Sequence, residues 1–208
     1  MRAWYALARG LAHVFMKTTC GIAYQGRGNA RQNLSGGLLI VSNHLSFLDP
    51  PMVACAMERE IHFLARKTLF KKNGFGWLIS SLNSIPVDQE KPDMNGLRII
   101  IKRLKEGHAV LLFPEGARSL DGTLQPGAPG AGLVAAKAGV PILPVRLFGS
   151  YEAFPRGTET RKAKFRPHPL RVAIGKPYLP DFAAAAAKGK DGYEELSREM
   201  MAKIAEIA

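Results

Sequence analysis

Along residues 2–17 apolar side chains recur at helical spacing. A wheel at about 100° per residue gathers Trp4, Leu7, Leu11, Val14 and Phe15 on one face. Arg2, Arg9, His13 and Lys17 share the opposite face, so the pattern predicts a helix lying in a membrane interface with its cations toward lipid phosphates. A surface helix packed on the core is the competing reading of the same wheel. After a glycine-rich polar connection over residues 24–37, the period changes. Short apolar runs at 38–41, 61–65, 84–87, 109–113, 142–148 and 170–174 each predict a strand. Residues 67–82 and 94–106 return to helical spacing, the second stretch stopped by Gly107 as a C-cap. Pro50 and Pro51 open a helix after the loop 42–49, the Ala-rich stretch 183–191 frays or forms a loose helix, and 193–207 reads as a terminal amphipathic helix.

Strands alternating with helices imply an α/β fold: a single-domain sandwich with a largely parallel mixed sheet, preceded by the N-terminal amphipathic interfacial helix. The corresponding division is an interfacial segment, 1–24, and one domain, 25–208. With 208 residues, 47% of them apolar, the chain can bury one substantial core.

Charge narrows the partners. Lys and Arg number 29 against 17 Asp and Glu, a net +12, which calls for a polyanion or an anionic surface. No basic helix, metal-finger spacing or basic strand interleaved with aromatics is present, so anionic lipid is expected rather than nucleic acid. Cys20 and Cys55 are isolated thiols, consistent with a reducing, cytoplasmic location. No run reaches the roughly 20 consecutive apolar residues of a spanning helix, and no signal peptide is evident, so the chain is expected to lie on a bilayer rather than cross it. A glycine-rich phosphate loop and a Cys/His cluster are also missing, which leaves nucleotide and metal chemistry unsupported.

Two short segments carry candidate chemistry. Asn43 to Asp49 (NHLSFLD) puts an imidazole just beyond a strand, where α/β sheets expose functional groups. His44 can accept a proton near neutrality if Asp49, five residues on, fixes its tautomer. Asp49 could equally be a cap for the helix begun by Pro50, with His44 an ordinary loop residue. Phe113 to Ser119 (FPEGARS) follows the most hydrophobic strand. There Gly116 permits a tight turn, Arg118 can grip a phosphate bidentately, and Glu115 can orient it or meet glycerol hydroxyls. A surface ion pair between Glu115 and Arg118 is the plainer alternative. Phe75, Trp77, Leu78 and Ile79, after Lys71 and Lys72, suit lipid contact, an acyl tunnel or simple core packing.

Together these segments resemble the glycerolipid acyltransferases, a family that includes the 1-acyl-sn-glycerol-3-phosphate acyltransferases. NHLSFLD is similar to their His-x4-Asp box. FPEGARS is similar to their Phe-Pro-Glu-Gly-Thr-Arg-Ser block, with Ala117 where Thr is usual, and VPILPV at 140–145 resembles the apolar block that follows. The likeness runs over residues 38–145, including ARKTLF at 65–70 and IPVD at 85–88. It implies that His44 deprotonates the acceptor hydroxyl with support from Asp49, and that the alkoxide attacks an acyl thioester without an acyl-enzyme. Glu115, Gly116, Arg118 and Ser119 would hold the acceptor. Gln89 and Thr68 depart from the family's usual Arg and Glu, and Gly127 lacks the Lys often found before it, so either Arg66, Lys67 or Arg118 compensates for the cation missing at Gln89 or the acceptor differs.

The implied reaction is acylation of a lysophospholipid, 1-acyl-sn-glycerol-3-phosphate, to phosphatidic acid. Acyl-CoA or acyl carrier protein would be the donor, with no metal or tightly held cofactor, on the cytoplasmic side of the cell membrane. Glycerol-3-phosphate, a lyso-ornithine lipid or a lipid A-type precursor are alternative acceptors. A thioesterase, or a silent basic protein that binds membranes or nucleic acid, are readings of another kind.

Overall fold

In the computed structural model, residues 1–31, 35–71, 73–88, 94–157 and 163–208 are described. Helix α1 (Ala3–Cys20) leads into strand β1 (Ala23–Gln25) and helix α2 (Arg27–Arg31), and then into β2 (Leu38–Ser42) and α3 (Asp49–Ala56). Next come β3 (Ile61–Arg66), α4 (Lys67–Phe70), α5 (Asn73–Ser81), β4 (Ser84–Val87), α6 (Met94–Lys105) and β5 (Ala109–Leu112). The chain continues through α7 (Pro129–Ala138), β6 (Ile142–Phe148), α8 (Ser150–Ala153), β7 (Arg171–Ile174), α9 (Phe182–Ala187) and α10 (Lys190–Ala205).

Seven strands form one sheet in the order β1-β7-β6-β2-β5-β3-β4. Every described pairing is parallel except β6 with β7, so the sheet is mixed at one side and parallel through its centre. The central strands are buried on both faces, as crossover helices require. Along β2 the pleat sends Leu38 and Ile40 into a core with α1 and α3, and Leu39 and Val41 into a second core with α6, α7 and α10. The chain is therefore the expected single α/β sandwich, with helices on both faces of the sheet.

Three elements differ from the sequence reading. The polar connection holds β1 and α2, so the boundary drawn after Tyr24 falls inside a strand that pairs with β7. Residues 67–82 divide into α4 and α5 rather than one helix. Pro129 and Gly130, to which the sequence reading gave no element, open α7, which packs closely on α10. A Cβ on Gly132 would stand 1.9 Å from the carbonyl oxygen of Tyr193, so only glycine permits that approach.

Helix α1 is also turned differently from expectation. Arg2 pairs with Glu60 at 3.0 Å, Arg9 donates to the Met57 carbonyl at 2.5 Å, and His13 Nδ1 lies 2.8 Å from the Tyr24 hydroxyl. These polar groups face the protein, not lipid, because buried backbone and carboxylate acceptors wait there. Tyr5, Met16 and Cys20 are buried beside them. The outward face is the apolar one, with Leu7, Leu11, Val14 and Phe15 about half exposed. No helix among the described residues is long and apolar enough to cross a membrane.

Candidate functional site

The two motif segments are 70 residues apart in sequence and adjacent in space because β2 and β5 are neighbours. Val41 stands opposite Leu112 in their parallel register, so the loops that follow leave the same edge of the sheet side by side. Three contacts lock them together. The His44 amide donates to Glu115 Oε1 at 3.0 Å, the Ser119 amide donates to the His44 carbonyl at 2.8 Å, and the His44 and Phe113 rings stack with centroids 3.8 Å apart. On the other flank, Asn43 exchanges two hydrogen bonds with the backbone of Leu147, tying the loop to β6.

His44 Nδ1 lies 2.8 Å from Asp49 Oδ2. Asp49 is wholly buried in the first turn of α3, and the same oxygen accepts from the amides of Leu45 and Ser46. The carboxylate thus occupies Nδ1 of the ring and leaves Nε2 as its other nitrogen. Asp49 is the first residue of α3, whose N-cap is Leu48, so it does not cap the helix as the plainer reading held; its Oδ2 bonds back to the imidazole and the loop instead.

Glu115 and Arg118 do not pair with each other; among the described residues neither Glu115 Oε2 nor Arg118 Nη1 has a hydrogen-bond partner. Burial pushes the Glu115 carboxyl up to about 7, against the pull of amide donors from His44 and Gln125. Burial and the nearby Arg156 and Arg66 bring Arg118 down to about 10. The Arg118 guanidinium lies 3.6 Å from the centroid of the Phe47 ring, a cation–π contact that holds it over the site. Gly116 has φ +75° and turns the chain between Glu115 and Arg118.

His44, Arg66 and Arg118 line one cavity of about 560 Å³. Its walls are otherwise largely apolar, from Ala8 and Leu11 of α1, Ala54 of α3, Phe63 of β3 and Leu78 of α5. Lys67 is exposed at the start of α4, outside that lining. The Ser119 hydroxyl is spent within its own loop, donating to Asp121 and accepting from the Gly122 amide. Gln89 lies outside the described residues. Phe47 and Phe113 line the cavity without having been singled out, while Arg156 lies outside that lining and meets Arg118 at its carbonyl. The two rings sat inside the quoted motifs, while Arg156 carries no local signal. Among the described residues no group of three or more His, Cys, Asp or Glu could hold a metal ion.

Comparisons with known proteins bear on the chain's family and fold. A family model described as Acyltransferase matches residues 21–147. The chloroplastic 1-acyl-sn-glycerol-3-phosphate acyltransferase of Brassica napus is 34% identical over 139 residues, 66% of this chain and 39% of that protein. The 1-acyl-sn-glycerol-3-phosphate acyltransferase of Bacillus subtilis is 28% identical over 162 residues, 76% of each chain. In structure, the 1-acyl-sn-glycerophosphate (LPA) acyltransferase PlsC of Thermotoga maritima superposes with a TM-score of 0.76 at 25% identity, covering 97% of this chain and 80% of its own. The chain thus spans well under half of the Brassica relative and most of the two bacterial ones.

Proposed function

The chain belongs to the acyltransferase family, and from that premise we propose that it moves a fatty acyl group from acyl-CoA or acyl carrier protein to the free hydroxyl of 1-acyl-sn-glycerol-3-phosphate, giving phosphatidic acid. The observation that carries this reading is the convergence of an imidazole and an unfilled guanidinium donor on one apolar cavity. An alcohol, a phosphate and a long acyl chain are what such a cavity suits.

In the proposed reaction His44 Nε2 takes the proton from the acceptor hydroxyl while Asp49 holds Nδ1 and stabilises the imidazolium. The alkoxide oxygen bonds to the thioester carbonyl carbon. The tetrahedral intermediate then collapses with cleavage of the carbon–sulfur bond, and the departing thiolate recovers the proton from His44. Transfer is direct in this scheme: Cys55, which lines the same cavity, donates its thiol to the Arg9 carbonyl and has its pKa pushed up to about 11 by burial, and Ser46 donates its hydroxyl to the Phe154 carbonyl at 2.7 Å. Arg118 and Arg66 take the acceptor phosphate, Glu115 the glycerol hydroxyls, and the apolar wall the acyl chain. No metal or bound cofactor has a part in this scheme; the thioester is a substrate.

The same reading puts the molecule on an anionic membrane surface. Trp4, Leu11, Phe47 and Phe75 are exposed and also line the cavity, so its mouth has an apolar rim that continues into Leu7, Val14 and Phe15. Exposed apolar area of this kind suits a bilayer, and the net charge of +12 adds attraction to anionic lipid. The cytoplasmic side is the location taken, with Cys20 and Cys55 both free thiols.

The test is thiol release from labelled acyl thioester with a panel of lysolipid acceptors, the products read by mass spectrometry. Release that depends on 1-acyl-sn-glycerol-3-phosphate and yields phosphatidic acid is the expected result. Release without acceptor would mean a thioesterase, and product from another acceptor would move the substrate. His44→Ala should remove the acceptor-dependent release by about 1000-fold while leaving the fold intact.

A further inference from the structure

We propose that Arg156 is a third guanidinium of the acceptor's phosphate site, standing with Arg118 and Arg66 and selecting acceptors whose phosphate is a monoester. This rests on the reading above that the acceptor carries a phosphate. Arg156 follows α8 in a segment stitched to the loop of His44. Ser46 and Pro155 form an isolated antiparallel bridge, the Ser46 hydroxyl donates to the Phe154 carbonyl, and the Phe47 and Phe154 rings lie 6.1 Å apart. That stitching brings Arg156 against Arg118, whose carbonyl accepts from Arg156 Nη1 at 3.3 Å.

Of the charges that act on the neighbour it meets, two are cations and one, Asp49, is an anion. Arg118 is held over the Phe47 ring, with Nη1 shut from solvent and, among the described residues, without a hydrogen-bond partner. Arg156 and Arg66 both press on its charge, after burial itself. Like charges around a partly desolvated guanidinium raise the free energy of the empty site, and an anion among them relieves it. A phosphate monoester suits this best. With its second pKa near about 6 it carries close to two negative charges at neutrality and three free oxygens for guanidinium donors. A phosphodiester headgroup brings one charge and fewer open oxygens.

Arg156→Gln and Arg156→Lys in the full chain decide the matter. Steady-state kinetics are compared for 1-acyl-sn-glycerol-3-phosphate and for 1-acyl-sn-glycero-3-phosphoglycerol, whose phosphate is a diester. The Gln variant is expected to raise KM for the monoester acceptor about tenfold, with a much smaller change in kcat, and so to erode discrimination between the two. The Lys variant should recover part of the loss. An unchanged KM, or an equal loss on both acceptors, overturns the proposal. If neither form acylates a phosphorylated acceptor, the functional reading fails by itself. Calorimetric titration with sn-glycerol 3-phosphate then tests Arg156 alone: weaker binding by the Gln variant supports its role, and equal or absent binding in both proteins ends it.

Discussion

Asp49 accepts three hydrogen bonds on one oxygen, Oδ2, and only one of them comes from His44 at 2.8 Å; the amides of Leu45 and Ser46 supply the others. The loop that follows β2 is thus wrapped around the carboxylate before any substrate arrives. Asp49 is the first residue of α3, with Pro50 and Pro51 next, so the carboxylate also sits at the positive end of a helix. Orientation of the imidazole is built into the backbone and does not depend on a mobile side chain.

Asp49→Asn separates shape from charge at this point. The amide can still accept from one or both backbone donors, but its nitrogen cannot accept from His44 Nδ1, so the ring loses its fixed tautomer. Turnover is expected to fall by roughly three to four orders of magnitude, the scale seen when a buried aspartate behind a catalytic histidine is neutralised. Stability should fall by about 1–3 kcal/mol. Single-turnover kinetics beside urea denaturation would separate the two effects, and turnover within tenfold of the parent chain would remove Asp49 from the mechanism.

Glu115 makes stability depend on pH in a direction opposite to most carboxylates. Its pKa rises from 4.5 to about 7 chiefly through burial, so between those values the folded chain keeps a proton that the unfolded chain releases. Stability is then lost as pH rises through that window, and the cost is fully present above about pH 7. Glu115→Gln retains an oxygen to accept from the His44 amide and abolishes the titration. The difference in urea midpoint, variant minus parent, should grow from about pH 4.5 to about pH 8. A difference that stays flat over that range would show that Glu115 ionises without penalty.

Helix α1 offers a third test. Leu7, Leu11 and Val14 are 54%, 63% and 58% exposed, so replacing all three with Ser removes little packing. The thermal midpoint is expected to stay within a few degrees. Sedimentation with vesicles of anionic phospholipid should weaken at least tenfold, because each side chain contributes about 1–2 kcal/mol when inserted at an interface. Equal sedimentation of the triple variant would take α1 out of membrane contact.

What could be read ahead of the structure follows a physical line. Strands β2 and β5 were visible because both faces of a central parallel strand are buried, which writes a continuous apolar run. The convergence of His44 with Glu115 and Arg118 needed only those two strands to be neighbours. Helix α7 was hidden because Pro129, Gly130 and Gly132 resemble a turn; its stability comes from close packing on α10, a tertiary cause. For α1, periodicity told which residues share a face, yet it could not tell which face docks, since Glu60 and the Met57 carbonyl lie about 50 residues or more away. Arg156 was invisible for the same reason. It reaches the site through the long-range pairing of Ser46 with Pro155.

The cavity wall gives the last prediction. Helix α3 runs from Asp49 away from the reacting end, and Pro50, Pro51, Ala54 and Cys55 all line the cavity, so one face of the helix follows its length. At about 1.5 Å per residue, Ala54 lies roughly 6 Å beyond Pro50 along the helix axis, where the first several methylenes of an acyl chain would pass. Ala54→Leu keeps good helix propensity and projects an isobutyl group into that path. Each methylene denied burial forfeits about 0.8 kcal/mol, close to a fourfold loss. The ratio of kcat/KM for long over short acyl thioesters should therefore drop by about an order of magnitude, with the shortest donors affected least. Thiol release over a series of acyl-CoA lengths reads this directly. A uniform loss across the series would mean that the acyl chain does not run beside α3 and that this wall serves the lysolipid or the core instead.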